Sequence, residues 1–561
     1  MNRRFIFEQN LLALSAKDPA LCSRLSAAET TRGRYKFLEA RSGELVPAAV
    51  DPSGASHPLH STVDPRREAQ RLIATCGDEG FLIFLGLGGA FAAEAALERE
   101  EIRRVAAVEY DMDGLAELLS SREYLRVLGD PRFTLLADPS PGGLKRYVLE
   151  NYQPVLDGGI RVFPLRARTA YDDRFGAAAG AIGEAIGGVS ADYSVQAWFG
   201  GRWFSNIIRN LRAAEIQEGP LPPIREAAVA AAGPSLDLQI PALKKRKETE
   251  GKGLFLIAAD TSLPALLHAG IGVDAVISID CQHISYYHFM GLPANLPLFL
   301  DLASPPPVAS RAAKPRFFSA GHPLTGYISR FWRPIPSLDS SGANVTCAAL
   351  SLAESLGAEK IELYGADFSY PRGKTYARGT YIFPFFEGKQ SRLAPLEGLF
   401  SSFLYRVPLE KKTPPEKPDN WYYETETLRR YRMKLEEKAA VMYPRLVPVE
   451  SAGAPVTVTA AGKSGNRRLA IFSSGRPLMP AEVFLKRYRD GIQRLRPLGE
   501  NLDAGIREMD EGERLILGTL LPQAAALKRR RPELNTPELI GTVRDVCVEE
   551  INRVLGVMFQ E

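Results

Sequence analysis

The sequence predicts a multidomain α/β protein whose central domain is built on a parallel β-sheet with polar residues along one edge. Three apolar runs of strand length alternate with helical patterns in the middle of the chain, at 227–232, 253–260 and 273–280. The first run passes directly into a glycine turn at Gly233. The other two runs end in Asp260 and Asp280. Strands that alternate with helices are typical of parallel sheets.

The turn after the first run has the composition of a helix start. Gly233 permits a tight turn, Pro234 suits the first turn of a helix, and Ser235 can cap free backbone N–H groups. A glycine turn that leads from a strand into a helix is a typical anion site, because unpaired N–H groups and the helix dipole point at the same place. We therefore expect this turn to bind an anionic group.

A second stretch of the same kind lies at 339–370. A polar turn at Ser341 and Gly342 precedes a helix of period 3.6, and the strand Lys360–Tyr364 leads to Asp367. In parallel α/β sheets ligands bind outside the carboxyl ends of the strands. The sequence therefore predicts one shared rim that carries Gly233, Ser235, Asp260, Asp280, Ser341, Gly342 and Asp367.

These stretches together resemble a known family. The segment GPSLD at 233–237, the runs that end in AAD and VISID, and the segment SSGANVTCAALSLAESLGAEKIELYGADFSY resemble the central domain of the Maf proteins, the motility-associated glycosyltransferases. That domain is shared with archaeal 6-hydroxymethylpterin diphosphokinases and resembles bacterial sialyltransferases. Residues 59–98 also resemble the Maf amino-terminal region. The resemblance covers roughly residues 55–380 and leaves the C-terminal part unmatched.

The length of 561 residues predicts two to four domains. We expect a lead-in, a Rossmann-like N-terminal domain, the central α/β domain and a C-terminal helical bundle, at 1–65, 66–222, 223–410 and 411–561. A proline-rich stretch at 217–226 marks the clearest boundary. Leucines and valines recur at helical spacing near the C-terminus, which suits packing, dimerisation into a homo-oligomer or binding of a protein partner.

The Rossmann-like segment carries a glycine turn of its own. An apolar strand leads into Gly86, Gly88 and Gly89, and Glu109 follows about twenty residues later, the layout of a dinucleotide or S-adenosylmethionine site. Alanines stand where a third glycine would fall. The favoured alternative is that these glycines only let neighbouring elements pack closely.

Composition argues against several classes of function. A net charge of +4 is too small to create an overall positive potential that attracts nucleic acid. The basic runs at 244–247 and 528–531 are expected to be solvated helix faces. The five cysteines show no metal-ligand spacing, which favours a reducing compartment. No apolar stretch reaches the roughly 18 residues of a membrane span, and no signal peptide is evident. We therefore expect a cytoplasmic protein.

The Maf resemblance implies transfer of a nonulosonic, sialic-acid-like sugar from a CMP-activated donor to serine or threonine of flagellin, with no cofactor required. In that reaction the Gly233-Pro234-Ser235 turn holds the donor phosphate, while Ser341 and Gly342 offer further N–H groups. The carboxylates of Asp260 and Asp367 are expected at the nucleotide, where a rim carboxylate binds its ribose. His322 is the expected base for the acceptor hydroxyl, and Asp280 is the second candidate.

The loop 370–386 follows the Asp367 strand and is rich in basic and aromatic residues. Arg372, Lys374 and Arg378 are expected to close over a phosphate or carboxylate. The alternative is a basic surface loop without a ligand.

Two other functions stay open at this point. The archaeal relatives imply transfer of diphosphate from ATP to a pterin-like alcohol, which requires Mg²⁺ and makes Asp260, Asp280 and Asp367 candidate ligands. The second is a flagellar or envelope assembly factor without catalytic activity.

Overall fold

A computed structural model shows that the chain folds into two units, each with a parallel sheet of its own. Unit 1 comprises residues 1–198, 496–510 and 521–542, and unit 2 comprises 199–495, 511–520 and 543–561. The structure describes residues 3–51, 53–165, 172–216, 219, 221–293, 295–312, 314–340, 342, 344–414, 418–460, 472, 474–499 and 502–558. The predicted division into four segments stays a prediction.

Unit 1 contains two sheets. Its strands are β1 (Tyr35–Glu39), β2 (Leu45–Val50), β3 (Ser56–Pro58), β4 (Phe81–Leu85), β5 (Arg104–Glu109), β6 (Phe133–Ala137) and β7 (Ile160–Pro164). The first three strands form an antiparallel sheet, and the other four form a parallel sheet in the order β6-β5-β4-β7. Its helices are Arg3–Ser15, Pro19–Ser26, Pro65–Ile73, Phe91–Leu97, Met112–Ser121, Leu125–Gly129, Pro141–Asn151, Pro154–Asp157 and Leu502–Glu508.

Strand β4 is buried on both faces, as the continuous apolar run in its sequence predicts. Leu82 and Phe84 pack into a core with the helices on one face of the sheet. Phe81 and Ile83 point to the opposite face and pack against the helix Pro141–Asn151. A Rossmann-like unit is therefore present in the N-terminal part of the chain.

The glycine turn after β4 makes room for a histidine of the same unit. The Gly89 N–H donates to His60 Nε2 at 2.9 Å, and a Cβ added at Gly88 would lie 2.6 Å from that nitrogen. The Leu87 N–H donates to the buried Glu109 carboxylate at 2.7 Å. This arrangement supports the expectation that the glycines serve close packing.

Unit 2 is built on a seven-stranded parallel sheet. The strands of unit 2 as a whole are β8 (Glu226–Ala230), β9 (Leu254–Ala259), β10 (Ala275–Ser278), β11 (Leu298–Asp301), β12 (Arg316–Phe318), β13 (Lys360–Tyr364), β14 (Tyr370–Pro371), β15 (Glu410–Lys412), β16 (Tyr422–Glu424) and β17 (Leu446–Pro448). The sheet order is β12-β11-β10-β9-β8-β13-β17, and β14, β16 and β15 form a separate antiparallel sheet. The predicted central parallel sheet is confirmed.

The helices of unit 2 cover this sheet and continue toward the C-terminus. They are Leu236–Glu250, Leu263–His268, Pro306–Ala309, Pro323–Phe331, Val345–Ser355, Ile382–Glu387, Leu396–Leu404, Glu426–Met442 and Ala481–Arg494, with the 3-10 turns Gly251–Gly253, Asp260–Ser262 and His283–Phe289. Three further helices, Arg174–Ala214, Glu511–Arg530 and Thr536–Met558, have residues in both units. The helix Val345–Ser355 packs on the fully buried Ile257, Ile277 and Phe299 of the sheet.

The basic run at 244–247 does not form the solvated face that the sequence predicts. Arg246 is only 20% exposed and pairs with Glu226 and Glu362, and Lys247 is 15% exposed and pairs with Asp274. Strands β8 and β13 provide the two glutamates. The charges therefore attach the helix Leu236–Glu250 to the sheet.

Two buried asparagines of the helix Arg174–Ala214 hold the backbone just beyond the sheet. Asn210 Nδ2 donates to the carbonyl oxygens of Leu302 at 2.9 Å and Ser304 at 2.7 Å. Asn206 Nδ2 donates to the carbonyl oxygens of Cys281 and Ala303. Since buried carbonyls need hydrogen-bond partners, these amides fix the segments that follow β10 and β11.

We expect Asn210→Ala to destabilise the protein, because two buried carbonyl groups lose their donor. The loss should be about 2 kcal/mol. Urea unfolding followed by tryptophan fluorescence measures it, and Ser194→Ala, on an exposed part of the same helix, is the control. An unchanged unfolding midpoint for Asn210→Ala would contradict this account of the helix.

Candidate functional site

The carboxyl ends of the parallel strands of unit 2 form the predicted rim. Gly233, Pro234 and Ser235 follow β8, Asp260 follows β9, Asp280 follows β10, His322 follows β12, and Asp367 follows β13. Gly342 lies just before the helix Val345–Ser355, where a Cβ would clash with the Cys347 side chain. Ser341 lies outside the described residues. The structure thus brings the described residues predicted for this site to one edge of the sheet.

The anion at the Gly-Pro-Ser turn is a side chain of the protein itself. The Ser235 N–H donates to Asp367 Oδ2 at 2.8 Å, and the Ser235 hydroxyl donates to the same carboxylate. The Gly233 N–H donates to the Gly365 carbonyl at 2.9 Å, and Pro234 has no N–H. The backbone N–H groups of the turn are therefore used within the chain, and the phosphate-binding role of these residues stays a prediction.

The segment after β17 completes this cluster. The Ser451 hydroxyl donates to Asp367 Oδ1 at 2.7 Å, and the Ala452 N–H donates to the Ser235 hydroxyl at 2.8 Å. The same segment lines a cavity of about 290 Å³ between the ends of β13 and β17. Asp367 is thus a carboxylate with three hydrogen bonds that joins the ends of β8, β13 and β17.

Two carboxylates follow the neighbouring strands β9 and β10. Asp260 is 3% exposed and accepts hydrogen bonds from the Thr261 N–H and the Ser278 hydroxyl, both at 2.6 Å. Asp280 is half-buried and accepts a hydrogen bond from the Gln282 N–H at 2.9 Å. Burial raises the pKa of Asp280 above its ordinary value, and the nearby Asp260 charge raises it further.

His322 is paired with a carboxylate that the sequence analysis did not single out. Its Nε2 lies 2.8 Å from Oδ2 of Asp301, the last residue of β11. Asp301 is fully buried, and its Oδ1 accepts the Ala320 N–H at 3.0 Å. The indole of Trp203 lies 4.4 Å from the imidazole, measured between ring centroids. The histidine is therefore oriented on both sides by fixed groups.

Aromatic side chains lie beside Asp260 and Asp280. Tyr381 packs edge-on against the buried His288, with ring centroids 4.4 Å apart. Burial raises the pKa of Tyr381, and the charges of Asp280 and Asp260 add to the rise. The Nδ1 atom of His288 is buried without a hydrogen-bond partner. The rim between β9 and β10 thus combines carboxylates, tyrosine and histidine.

The basic loop 370–386 folds back onto the Gly-Pro-Ser turn. The Ala377 N–H donates to the Ala232 carbonyl at 3.0 Å, and the Arg378 N–H donates to Asp237 at 2.8 Å. The side chains of Arg372, Lys374 and Arg378 are exposed. Arg372 has a positive φ of 50°, and its Nε donates to the Asp419 carbonyl. Arg378 therefore lies at the first turn of the helix Leu236–Glu250.

The three carboxylates considered for Mg²⁺ do not form a common ligand set. Asp367 is engaged by Ser235 and Ser451, and Asp260 by Thr261 and Ser278. Within the described part of the chain, no group of three or more His, Cys, Asp or Glu side chains is placed to hold a metal ion. The residues present thus do not fit a preformed magnesium site.

Comparison with known proteins defines the class of this fold. Residues 202–373 match the family described as 6-hydroxymethylpterin diphosphokinase MptE-like. The whole chain shares the fold of the Maf glycosyltransferase from Magnetospirillum magneticum AMB-1, with 14% sequence identity and a TM-score of 0.58, over 100% of this chain and 96% of that chain. The predicted resemblance to Maf proteins and the predicted α/β fold class are confirmed.

Two uncharacterized proteins of Treponema pallidum (strain Nichols) are also similar to the chain. One is 46% identical over 92 residues, which are 16% of this chain and 32% of that protein. The other is 30% identical over 182 residues, which are 31% of this chain and 83% of that protein. The chain belongs to the family of this second Treponema pallidum protein. Its alignment with the first spans about a third of that protein's length.

Over the residues that the structure describes, none of the helices combines the length and the apolar character needed to cross a bilayer.

We expect Asp280→Asn to stabilise the protein near neutral pH. The raised pKa of Asp280 means that the folded state disfavours its charged form. The protonated side chain therefore contributes its full share to the free energy of unfolding below pH 3.8, the ordinary pKa of an aspartate, and this contribution is lost as the pH rises through the higher pKa of the folded state. An asparagine has no charge to bury and can still accept the Gln282 N–H.

Thermal unfolding of variant and wild type between pH 3 and pH 8 measures this effect. The variant should unfold at a higher temperature at pH 8, and the difference should disappear at the acidic end. Asp78→Asn, at an exposed position, is the control. A variant that is less stable than the wild type at every pH would contradict the assignment.

Proposed function

We propose that unit 2 is a glycosyltransferase unit that moves a nonulosonic sugar from a CMP-activated donor to serine or threonine of flagellin, in support of flagellar assembly and motility. The pairing of His322 with the buried Asp301 on the rim carries this proposal. It provides an oriented base where parallel sheets bind their ligands. The fold shared with a Maf glycosyltransferase adds support.

The pair favours one tautomer of the neutral histidine. When Nε2–H donates to the Asp301 carboxylate, the neutral imidazole has its basic nitrogen at Nδ1. Nδ1 then takes the proton from the acceptor hydroxyl, and the buried carboxylate stabilises the imidazolium that results. Asp301 acts through His322 and is therefore a positioning residue.

Transfer forms a bond between the acceptor oxygen and the anomeric carbon and breaks the bond from that carbon to the CMP phosphate. CMP leaves with the bonding electrons, and the sugar passes through an oxocarbenium-like state. In this proposal the Gly233-Pro234-Ser235 turn, whose own N–H groups are used within the chain, and Gly342 lie beside the phosphate side of the nucleotide. The role expected for Ser341, outside the described residues, stays a prediction. Arg378, at the same turn, supplies positive charge to the departing phosphate, and Lys374 and Arg372 extend that charge along the loop.

The rim between β9 and β10 suits a sugar ring or a ribose. The half-buried Asp280 carboxylate accepts hydrogen bonds from hydroxyl groups, and the Tyr381 ring offers an apolar surface beside it. Asp260, which is buried and holds the Ser278 hydroxyl, supports this side of the rim. Asp280, whose pKa is raised by burial, is the second candidate for the base. Asp367 contributes by holding the turn.

This reaction requires no metal or other cofactor, because the chain's own basic residues neutralise a single leaving phosphate. We place it in the cytoplasm, with flagellin and a nucleotide-activated sugar as partners and with the C-terminal helices available for self-association. The match to the diphosphokinase family keeps Mg²⁺-dependent transfer from ATP as the second candidate function. A non-catalytic assembly factor is the third.

We expect His322→Ala to lower the rate of sugar transfer about a hundredfold to ten-thousandfold, because the acceptor hydroxyl loses its base. Asp301→Asn should lower the rate less and change its dependence on pH, since the histidine loses its negative partner. Intact-mass analysis of flagellin incubated with the protein and a CMP-activated nonulosonic sugar gives the rate. His283→Ala, at an exposed position of the same rim, is the matched control.

Binding measurements separate the candidate functions. CMP should bind equally to wild type and His322→Ala, and EDTA should not weaken it. If flagellin gains no mass and ATP binds only with Mg²⁺, the diphosphokinase hypothesis replaces this proposal. If neither nucleotide binds and no mass is added, the assembly role replaces it.

A further inference from the structure

We infer that unit 1 contains a second ligand site, a cavity of about 400 Å³ beside the Gly86–Gly89 turn, which binds a small uncharged aromatic compound. The cavity is bounded by the parallel sheet, the helices Pro65–Ile73 and Phe91–Leu97, and the segment after β3. Its volume lies within the range of about 300–1,000 Å³ that is typical of small-molecule pockets. This inference does not depend on the function proposed for unit 2.

The sheet provides a flat aromatic wall. Phe84 of β4 stands between Ala107 of β5 and Phe163 of β7 in the strand register, and all three residues line the cavity. The rings of Phe84 and Phe163 are stacked, with centroids 5.5 Å apart and planes 17° apart. The small side chain of Ala107 leaves open space beside these rings. A planar ligand can therefore pack against an extended apolar surface.

The other walls are mostly aliphatic. Leu59, Leu72, Leu87 and Leu165 line the cavity, together with the alanines Ala69, Ala92 and Ala93. Pockets of this composition bind ligands mainly by burying apolar surface, and a few polar groups fix the orientation.

His60 supplies the inner polar group of the cavity. Because its Nε2 accepts the Gly89 N–H at 2.9 Å, a neutral ring has its proton at Nδ1. Burial and the nearby Arg122 lower the pKa of His60 to about 4, so the ring is neutral at physiological pH. The Glu68 carboxylate also lines the cavity, but it is exposed and accepts the Ser61 N–H at 2.8 Å. An acceptor atom on a neutral ligand is the natural partner of the His60 N–H.

The glycine turn itself excludes a phosphate-bearing cofactor. The Gly89 N–H is donated to His60, and the Leu87 N–H is donated to Glu109. Glu109 is 1% exposed, too deep for a ribose hydroxyl to reach. His60 and Leu165 also occupy the space beside Gly88 that a pyrophosphate would need. The chemistry at this turn therefore favours a neutral ligand over a dinucleotide.

The full-length protein can be tested with indole and adenine as neutral planar probes and with AMP as the charged counterpart. Saturation-transfer NMR detects binding, and isothermal titration gives the affinity. We expect saturable binding of at least one neutral probe, and we expect AMP to displace that probe with an affinity weaker by about tenfold or more, since the described residues that line the cavity include no cationic side chain. Absence of binding by both neutral probes, or displacement of the bound neutral probe by AMP with equal affinity, would overturn the inference.

Cavity-filling variants locate the site. Ala92→Leu and Ala93→Leu each add volume to a wall of the cavity and should lower the affinity for the neutral probe by about tenfold or more. Ala177→Leu, at an exposed position of unit 1, is the matched control, and circular dichroism verifies that each variant folds. Unchanged affinity in the folded variants would place the probe elsewhere and overturn the inference. If neither variant folds, competition between indole and adenine for one site decides instead, and independent binding overturns it.

Discussion

The hydrogen bonds of the Asp367 carboxylate fix the geometry on which the rim of unit 2 depends. This side chain is 1% exposed and accepts the Ser235 N–H, the Ser235 hydroxyl and the Ser451 hydroxyl. A buried carboxylate is costly unless its oxygens are hydrogen-bonded, so the turn and the segment after β17 must stay in place around it. The constraint also explains Gly233, where a Cβ would lie 2.5 Å from the Gly365 carbonyl oxygen. The helix N-terminus is thereby satisfied by the protein's own anion.

Buried carboxylates at the strand ends have different structural tasks. Asp367 holds the turn, Asp260 holds the Ser278 hydroxyl of the neighbouring strand, and Asp301 holds the imidazole of His322. Asp280 is more exposed than these three, and burial together with the Asp260 charge raises its pKa. Groups that can exchange a proton with a ligand are therefore concentrated at Asp280 and His322. The other carboxylates form the rigid frame that such groups need.

The sequence predicts the parts of this fold that depend on local pattern. The apolar runs before Asp260 and Asp280 predicted β9 and β10, and the spacing around Asp367 predicted β13. The run LPLFLD, which ends in Asp301, has the same pattern and could have identified that residue as well. The partner Ser451 lies 84 residues from Asp367 and follows a strand of only three residues, so no periodicity indicates it. Likewise, nothing in the glycine turn at 86–89 indicates that His60 fills it, because that contact depends on tertiary packing.

The central claim is that a nucleotide binds at the carboxyl edge of the parallel sheet in unit 2. Hydrogen–deuterium exchange of the full-length protein with and without CMP tests it most directly. The account predicts protection in peptides that contain residues 233–237, 260–262, 279–283 and 319–323, which follow β8, β9, β10 and β12. Protection confined to unit 1, or to the opposite edge of the sheet around residues 251–253, would contradict it.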